Sequence, residues 1–215
     1  MSTDRGQAHT LEAVTAATIL LAALVFASQA AAVTPLTAST SSQHIENQER
    51  ASVDGMLAGA RANGTVRSAV TLVNNSTGLY YGTSLVDPTY SNGGPPAAFG
   101  ATLNQTWRDE GIAFNVDVYY IQLAGGEQSR ARRSVVYMGE PTDSSVSAST
   151  VVTLYDDDRL HEPNGSTAAP TNVTLNETTW DDDGDGESDD VFYVSDVYDG
   201  PAFNVVEVEV TVWRM

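Results

Sequence analysis

The part of the sequence best suited to chemistry is the acidic run between Trp180 and Val191. Its carboxylates follow the spacing D-x-D-x-D-G-x-x-D, in which alternating side chains converge on one calcium ion and the glycine permits a sharp turn. The acidic residues of this pattern are Asp181, Asp183, Asp185 and Asp189, with Glu187 placed to supply a backbone carbonyl. The position at which an EF-hand needs a bidentate Glu is Phe192. The spacing therefore predicts a short Ca²⁺ loop of the extracellular type, and the alternative is a solvated acidic turn.

Several asparagines lie in the pattern N-x-S/T, which marks acceptors of N-linked glycan in exported proteins. They are Asn63, Asn74, Asn75, Asn104, Asn164, Asn172 and Asn176. Each match alone is weak evidence because Ser and Thr abound in this chain. Together the matches favour a location at the cell surface.

Residues for catalysis are sparse. The histidines, His9, His44 and His161, are far apart in the sequence and predict neither a metal cluster nor a catalytic triad. The run 156–158 is three consecutive aspartates, which could supply paired carboxylates for hydrolysis or form an acidic turn after a strand. A basic cluster at the predicted tip of a hairpin comprises Arg130, Arg132 and Arg133, which could contact a partner's acidic surface. We expect no enzymatic activity, and an exported hydrolase is the weakest of three hypotheses.

The composition indicates one acidic domain in a salty environment. The 215 residues suit a single domain plus an anchor. The chain contains 28 Asp and Glu residues and 10 basic residues, all of them Arg, which gives a formal net charge of −18. This charge repels nucleic acid and keeps a protein hydrated in molar salt, whereas an ordinary acidic mesophilic protein would not explain the absence of Lys. The chain has no Cys, which excludes thiol catalysis and Cys-ligated metals.

An apolar run without charge extends from Ala13 to Val33. About 21 residues at roughly 1.5 Å each span about 30 Å, the thickness of a bilayer's hydrocarbon core. Three fates are open for this segment: a retained pilin-like anchor, a plain membrane tether, or a secretory signal cut near Ala30. The preceding residues 1–12 are not net positive, which argues against the secretory signal. Glu12 directly precedes the apolar run. A carboxylate at this position is costly to bury in a membrane, so Glu12 is a candidate functional residue.

The N-terminal residues Arg5-Gly6-Gln7, followed by Leu11-Glu12 and the apolar run, resemble the class III signal of archaeal type IV pilin-like proteins. The resemblance implies that a pilin-type peptidase cuts between Gly6 and Gln7 and leaves the apolar helix on the mature protein. It implies that Glu12 pairs with the free amine of a neighbouring subunit, although Glu12 would be the sixth mature residue where the family pattern has the fifth. The wider stretch 5–57 is similar to a haloarchaeal family of pilin-like proteins of unknown function.

The elements that must position these residues can be read from periodicity. Residues 41–62 have the composition of a helix, with Ser42 as its N-terminal cap and Asn63-Gly64 as its stop. Residues 99–110 predict a second, short helix that stops at Gly111. The predicted strands, rich in Val, Thr, Tyr and Phe, are 66–73, 114–123, 134–138, 145–155, 171–175, 191–197 and 203–213. In the last, residues 206–212 alternate Val with acidic or hydroxyl residues, which predicts one buried and one wet face.

These features predict an α+β chain. We expect a cytoplasmic leader over 1–12, a transmembrane helix over 13–33, a helical spine over 34–64 and an acidic, mostly antiparallel β-rich extracellular domain over 65–215. The first functional hypothesis is a pilin-like surface protein, a minor subunit of a filament or secretion system, with the membrane, other pilin-like subunits and an assembly platform as partners. The second is a solitary single-pass surface-binding module with a calcium-stabilised loop.

Overall fold

The computed structural model describes residues 4–124, 126–178 and 191–214, without the side chains of residues 4–9, 29–43 and 124. The chain divides into two compact units, Met1–Asn47 and Gln48–Met215. The helices are α1 (Asp4–Ala62), α2 (Thr65–Val70) and α3 (Ala98–Thr106), with 3₁₀ turns at Arg108–Glu110 and Leu175–Glu177. The strands are β1 (Val73–Asn74), β2 (Leu79–Tyr80), β3 (Ile112–Ala124), β4 (Glu127–Val136), β5 (Val146–Tyr155), β6 (Arg159–Asn164), β7 (Thr167–Thr174) and β8 (Ala202–Arg214).

The second unit is built on a four-stranded antiparallel sheet with the order β4-β3-β8-β5. The long strand β8 lies in the middle, and its alternation decides which face is buried: Val206, Val208 and Val210 are almost fully buried, whereas Glu207 and Glu209 are partly exposed on the other face. The predicted two-faced strand is confirmed. Two small antiparallel pairs, β1-β2 and β6-β7, complete the strands of the described residues. The α+β class with antiparallel sheets is therefore confirmed.

Helices cover the buried face of this sheet. The last turns of α1 contribute a stripe at Val53, Leu57 and Ala60, spaced i, i+4 and i+7 so that all three lie on one face of the helix. These side chains join one hydrophobic core with residues of α2, α3 and the sheet strands. The end of α1 is thus part of the domain that follows it.

The stops predicted from glycine are confirmed. Gly64 follows α1 with φ of 72° and Gly111 follows the 3₁₀ turn after α3 with φ of 73°. This left-handed conformation is accessible to glycine at little cost and terminates a helix. The short helix predicted over 99–110 corresponds to α3 and the adjoining 3₁₀ turn.

The helix predicted over 41–62 is the last part of α1, which runs from Asp4 to Ala62 and continues through Pro35; this proline removes only one hydrogen bond donor from the helix. Two local predictions are wrong. The strand predicted over 66–73 is mostly helix α2, because Val66, Ala69 and Val70 are buried at helical spacing and packing overrides β propensity. The strand predicted over 191–197 does not form.

Candidate functional site: the apolar N-terminal helix

The segment Thr10–Ser28 of α1 is long and apolar enough to cross a membrane, among the residues whose side chains are described. Its 19 residues would span about 28 Å at roughly 1.5 Å per residue. Every side chain in it is exposed; Leu11 is 70% and Phe26 76% exposed. The other large exposed apolar residues in the segment are Val14, Ile19, Leu20, Leu21, Leu24 and Val25. Water is a poor environment for a continuous apolar surface of this extent.

Three hydroxyl groups in this segment are hydrogen-bonded to carbonyls of the same helix. The Thr15 hydroxyl donates to the Leu11 carbonyl at 2.7 Å, and the Thr18 hydroxyl donates to the Val14 carbonyl at 2.7 Å. The Ser28 hydroxyl donates in the same way to the Val25 carbonyl at 2.9 Å. Because an unsatisfied polar group in hydrocarbon costs several kcal/mol, these bonds lower the penalty for burying the three hydroxyl groups in lipid.

The residues singled out for processing and assembly lie at the start of the same helix. Gly6 and Gln7 are helical, two residues after α1 begins at Asp4. Glu12 is exposed and falls inside the candidate span, five residues beyond Gln7. The structure therefore places the carboxylate at the edge of the apolar surface, one and a half helical turns from the proposed cut.

The predicted calcium loop, with Asp181, Asp183, Asp185, Glu187 and Asp189, lies outside the described residues. Within the described ranges, no group of three or more His, Asp or Glu side chains is arranged to hold a metal ion. The loop follows Thr178 and precedes Val191, whose backbone N–H donates to the Asn75 carbonyl at 2.7 Å. The calcium assignment stays a prediction.

The predicted glycosylation sites differ in accessibility. The exposed asparagines are Asn63, Asn164, Asn172 and Asn176. The half-buried ones are Asn74, Asn75 and Asn104. Asn104 Oδ1 accepts the Gly94 N–H at 2.9 Å, and Asn74 Oδ1 accepts the Ser76 N–H at 2.9 Å, so both side chains are held against the backbone. The exposed set is the better group of acceptors.

The basic cluster is not at a hairpin tip, which corrects the sequence interpretation. The three arginines lie along β4, and two of them pair with acidic residues of this chain: Arg130 with Glu207 at 2.7 Å and Arg132 with Asp117 at 2.9 Å. Arg133 stacks on the ring of Tyr193, 4.9 Å from its centroid. These contacts were missed because cross-strand partners distant in sequence cannot be identified before the strand order is known.

The three consecutive aspartates follow β5 in a turn. Asp158 is committed to structure there, because its Oδ1 pairs with Arg67 at 2.9 Å and its Oδ2 accepts the Tyr155 N–H at 2.9 Å. The acidic-turn interpretation of 156–158 accounts for this arrangement without hydrolysis.

Comparison with known families assigns the chain as a whole. A model described as "Family of unknown function (DUF7288)" matches residues 5–212, nearly the entire sequence. The chain belongs to this family. No curated protein and no solved structure matches it significantly. Membership in the DUF7288 family thus covers both the apolar helix and the β-rich unit.

The half-buried histidine of this DUF7288 member predicts a pH dependence of stability. His161 is half-buried, its Nδ1 lies 2.8 Å from the Thr71 hydroxyl, and its backbone N–H donates to the Thr71 carbonyl at 2.8 Å. Burial lowers the pKa of His161 below its usual value, against the opposing influence of the Arg159 backbone and of Asp158. The unfolded chain therefore binds a proton more readily than the folded one, and stability falls as pH drops below about 6.5 toward the folded pKa.

We expect His161→Gln to reduce the loss of unfolding free energy between pH 7.5 and pH 5. The measurement is urea unfolding of the full-length protein in detergent, followed by tryptophan fluorescence at both pH values. His44→Gln, at an exposed position of α1, is the matched control and should leave the loss unchanged. An unchanged loss in His161→Gln would assign the acid sensitivity to other groups.

Proposed function

We propose that this chain is a pilin-like, membrane-anchored surface protein of a salt-adapted archaeon and acts as a minor subunit of a type IV pilus-like filament or secretion system. The observation that carries the proposal is the exposed apolar surface of Thr10–Ser28, on a helix whose last turns enter the core of the β-rich unit. An apolar helix that continues into a domain core is suited first to lipid and then to packing against copies of itself. Its partners are then the membrane, other pilin-like subunits and an assembly platform.

Residues at the helix start have specific roles in this proposal. A pilin-type peptidase cuts between Gly6 and Gln7, which leaves a free amine at the new N-terminus. The Glu12 carboxylate then forms an ion pair with this amine of a neighbouring subunit. A buried carboxylate is costly in an apolar environment unless it is paired, so an ion pair of this kind would select the register between subunits.

The orientation proposed for the β-rich unit is extracellular. Two features support this orientation. The net charge of −18 suits a protein surface in contact with concentrated salt, and there are exposed sequons at Asn63, Asn164, Asn172 and Asn176. The same charge disfavours nucleic acid as a partner. Nothing in this role requires catalysis, so we propose that the protein is not an enzyme.

Calcium is proposed as a stabilising ligand of the acidic segment around Asp183. Without a cation, carboxylates crowded between residues 181 and 190 repel one another. For a dissociation constant of about 10⁻⁴ to 10⁻³ M, 10 mM Ca²⁺ would add about 1.4 to 2.7 kcal/mol to the unfolding free energy. We therefore expect the melting temperature to rise by roughly 3 to 10 °C in molar NaCl.

Differential scanning calorimetry of the full-length protein with and without Ca²⁺ measures this increment. Asp183→Ala should abolish it, and Asp109→Ala, at an exposed acidic position far along the chain, should not. A parent protein that melts at the same temperature in both buffers would reduce the segment to a solvated turn.

The mature N-terminus tests the pilin-like function against its alternative, a solitary single-pass module. A chain that begins at Gln7 supports the proposal, because only a pilin-type peptidase produces it. A chain that keeps Met1 or Ser2 supports the solitary module.

A further inference from the structure

The sheet leaves one edge unpaired, and the polarity of its backbone groups can be assigned. Strand β5 pairs with β8 on one side only. The Thr153 carbonyl accepts a hydrogen bond from Arg67 at 3.2 Å, and the Tyr155 N–H donates to Asp158, both on the side away from β8. Because backbone groups of alternate residues point to the same side of a strand, Ser147, Ser149 and Val151 also present their N–H and C=O groups outward.

These outward groups are open to solvent. Ser147, Ser149 and Val151 make no main-chain hydrogen bond on this side with any residue that the structure describes. The other edge of the sheet, along β4, is covered at one end, where the Tyr90 carbonyl accepts the Tyr137 N–H and the Tyr90 N–H donates to the Val135 carbonyl. An exposed strand edge is a template for pairing with another chain, and proteins usually block it. Here the block is confined to one end, where Arg67 and Asp158 cap β5.

A groove runs along this edge, parallel to β5. It consists of two adjoining hollows between β5 and the last turns of α1, which share Arg61 and Ala62 as lining residues. The helix wall includes Leu57, Ala58 and Ala62, and the strand wall is formed by residues 149–153 and Tyr155. Seven strand residues extend over about 20 Å. The groove is therefore long enough for a peptide of about seven extended residues.

The charge of the groove indicates the partner. Arg61 is exposed and forms no ion pair with any residue in the described part of the chain, and Arg67 lines the groove with part of its guanidinium paired to Asp158. Asp54 is the acidic residue among the lining residues. A carboxylate on an added strand would meet Arg61, whereas both terminal nitrogens of Arg67 already donate hydrogen bonds, one to Asp158 and the other to the Thr153 carbonyl.

We propose that the open edge of β5 binds an extended acidic segment of a partner polypeptide, which adds a fifth strand to the sheet. The main chain of the segment pairs with Ser147, Ser149 and Val151, and a carboxylate of the segment contacts Arg61. This mode of recognition takes affinity from backbone hydrogen bonds and specificity from alternate side chains. It does not depend on how the N-terminus is processed.

The test is binding of a fluorescein-labelled nine-residue peptide of alternating Glu and Thr to the full-length protein in detergent, measured by fluorescence anisotropy. Val151→Pro should weaken binding at least tenfold, because it removes an outward N–H that takes no part in the β5-β8 ladder. Val151→Thr, which keeps this N–H, should bind like the parent. Equal binding by the two variants, or no binding by the parent at 1 mM peptide as an order-of-magnitude ceiling, would overturn the proposal.

Two further measurements keep the outcome clear if the proline variant is unstable. A peptide with N-methyl groups on alternate amides cannot form the ladder and should lose binding to the parent protein. Addition of the unmodified peptide should slow amide hydrogen exchange at Ser149 and Val151. Peptide binding without this protection would contradict the proposed occupant. So would a parent protein that forms a dimer through this edge, as measured by light scattering.

Discussion

The first residue of the mature protein, isolated from its native host, is expected to be Gln7. Under the proposed pilin-like function, a pilin-type peptidase would read Gly6 as the residue before the cut and would leave the apolar segment Thr10–Ser28 on the product. Mass spectrometry of the N-terminal peptide, with allowance for pyroglutamate at Gln7, measures this directly. The result is unambiguous, because the three possible first residues, Met1 or Ser2, Gln7, and a residue near Ala31, give N-terminal peptides of different sequence.

Substitution of Gly6 separates the possible routes. Gly6→Leu should leave the full-length chain uncut while the protein remains in the membrane fraction. Ser2→Ala, in the same leader, is the control and should be processed like the parent. A native terminus near Ala31 would contradict the pilin-like function, because the helix that such subunits need for packing would be absent.

Truncation of Leu57 is expected to destabilise the β-rich unit by about 2 to 5 kcal/mol. Leu57 is 1% exposed and lies in the same core as Phe99, Leu103 and the buried face of β8. Leu57→Ala removes apolar contacts and leaves a cavity that the surrounding side chains fill only in part. The loss is a large fraction of the stability of an ordinary domain.

Urea unfolding of the full-length protein in detergent measures this loss, with the buried Trp107 and Trp213 as fluorescent reporters. Ile45→Ala is the matched control on the same helix, because Ile45 is 48% exposed and its truncation should cost about 0.5 kcal/mol or less. Similar losses for the two variants would mean that the end of α1 is not part of the core.

Several features of this chain follow from local sequence because their cause is local. Periodicity of two along residues 206–212 identifies β8 and its buried face, since alternate side chains of a strand point to opposite sides. Gly111 ends the helical segment before it because glycine adopts a positive φ at low cost. The candidate span follows from a continuous apolar run, and Thr15 and Thr18 do not interrupt it because their hydroxyls bond within the helix.

Other local assignments depended on contacts between residues distant in sequence. Residues 192–195 have β-forming composition but all are buried, and they make individual contacts instead of a ladder. The Tyr193 hydroxyl donates to the Val70 carbonyl at 3.1 Å and accepts from the Tyr80 hydroxyl at 2.8 Å. Asn204 donates to the Ser195 carbonyl at 2.7 Å. These bonds hold a buried non-strand segment in place, which composition alone cannot indicate.

The sequence by itself determined that the chain has an apolar N-terminal helix, an acidic surface and a two-faced strand at its C-terminus. Only the tertiary structure decided that Val66 and Val70 lie on a helix, that Arg130 and Arg132 pair with acids across the sheet, and that β5 is an edge strand. The physical reason is the range of the interactions. Hydrophobic period and backbone conformation act between residues a few positions apart, whereas strand order and salt-bridge partners follow from burial of one common core by the whole chain.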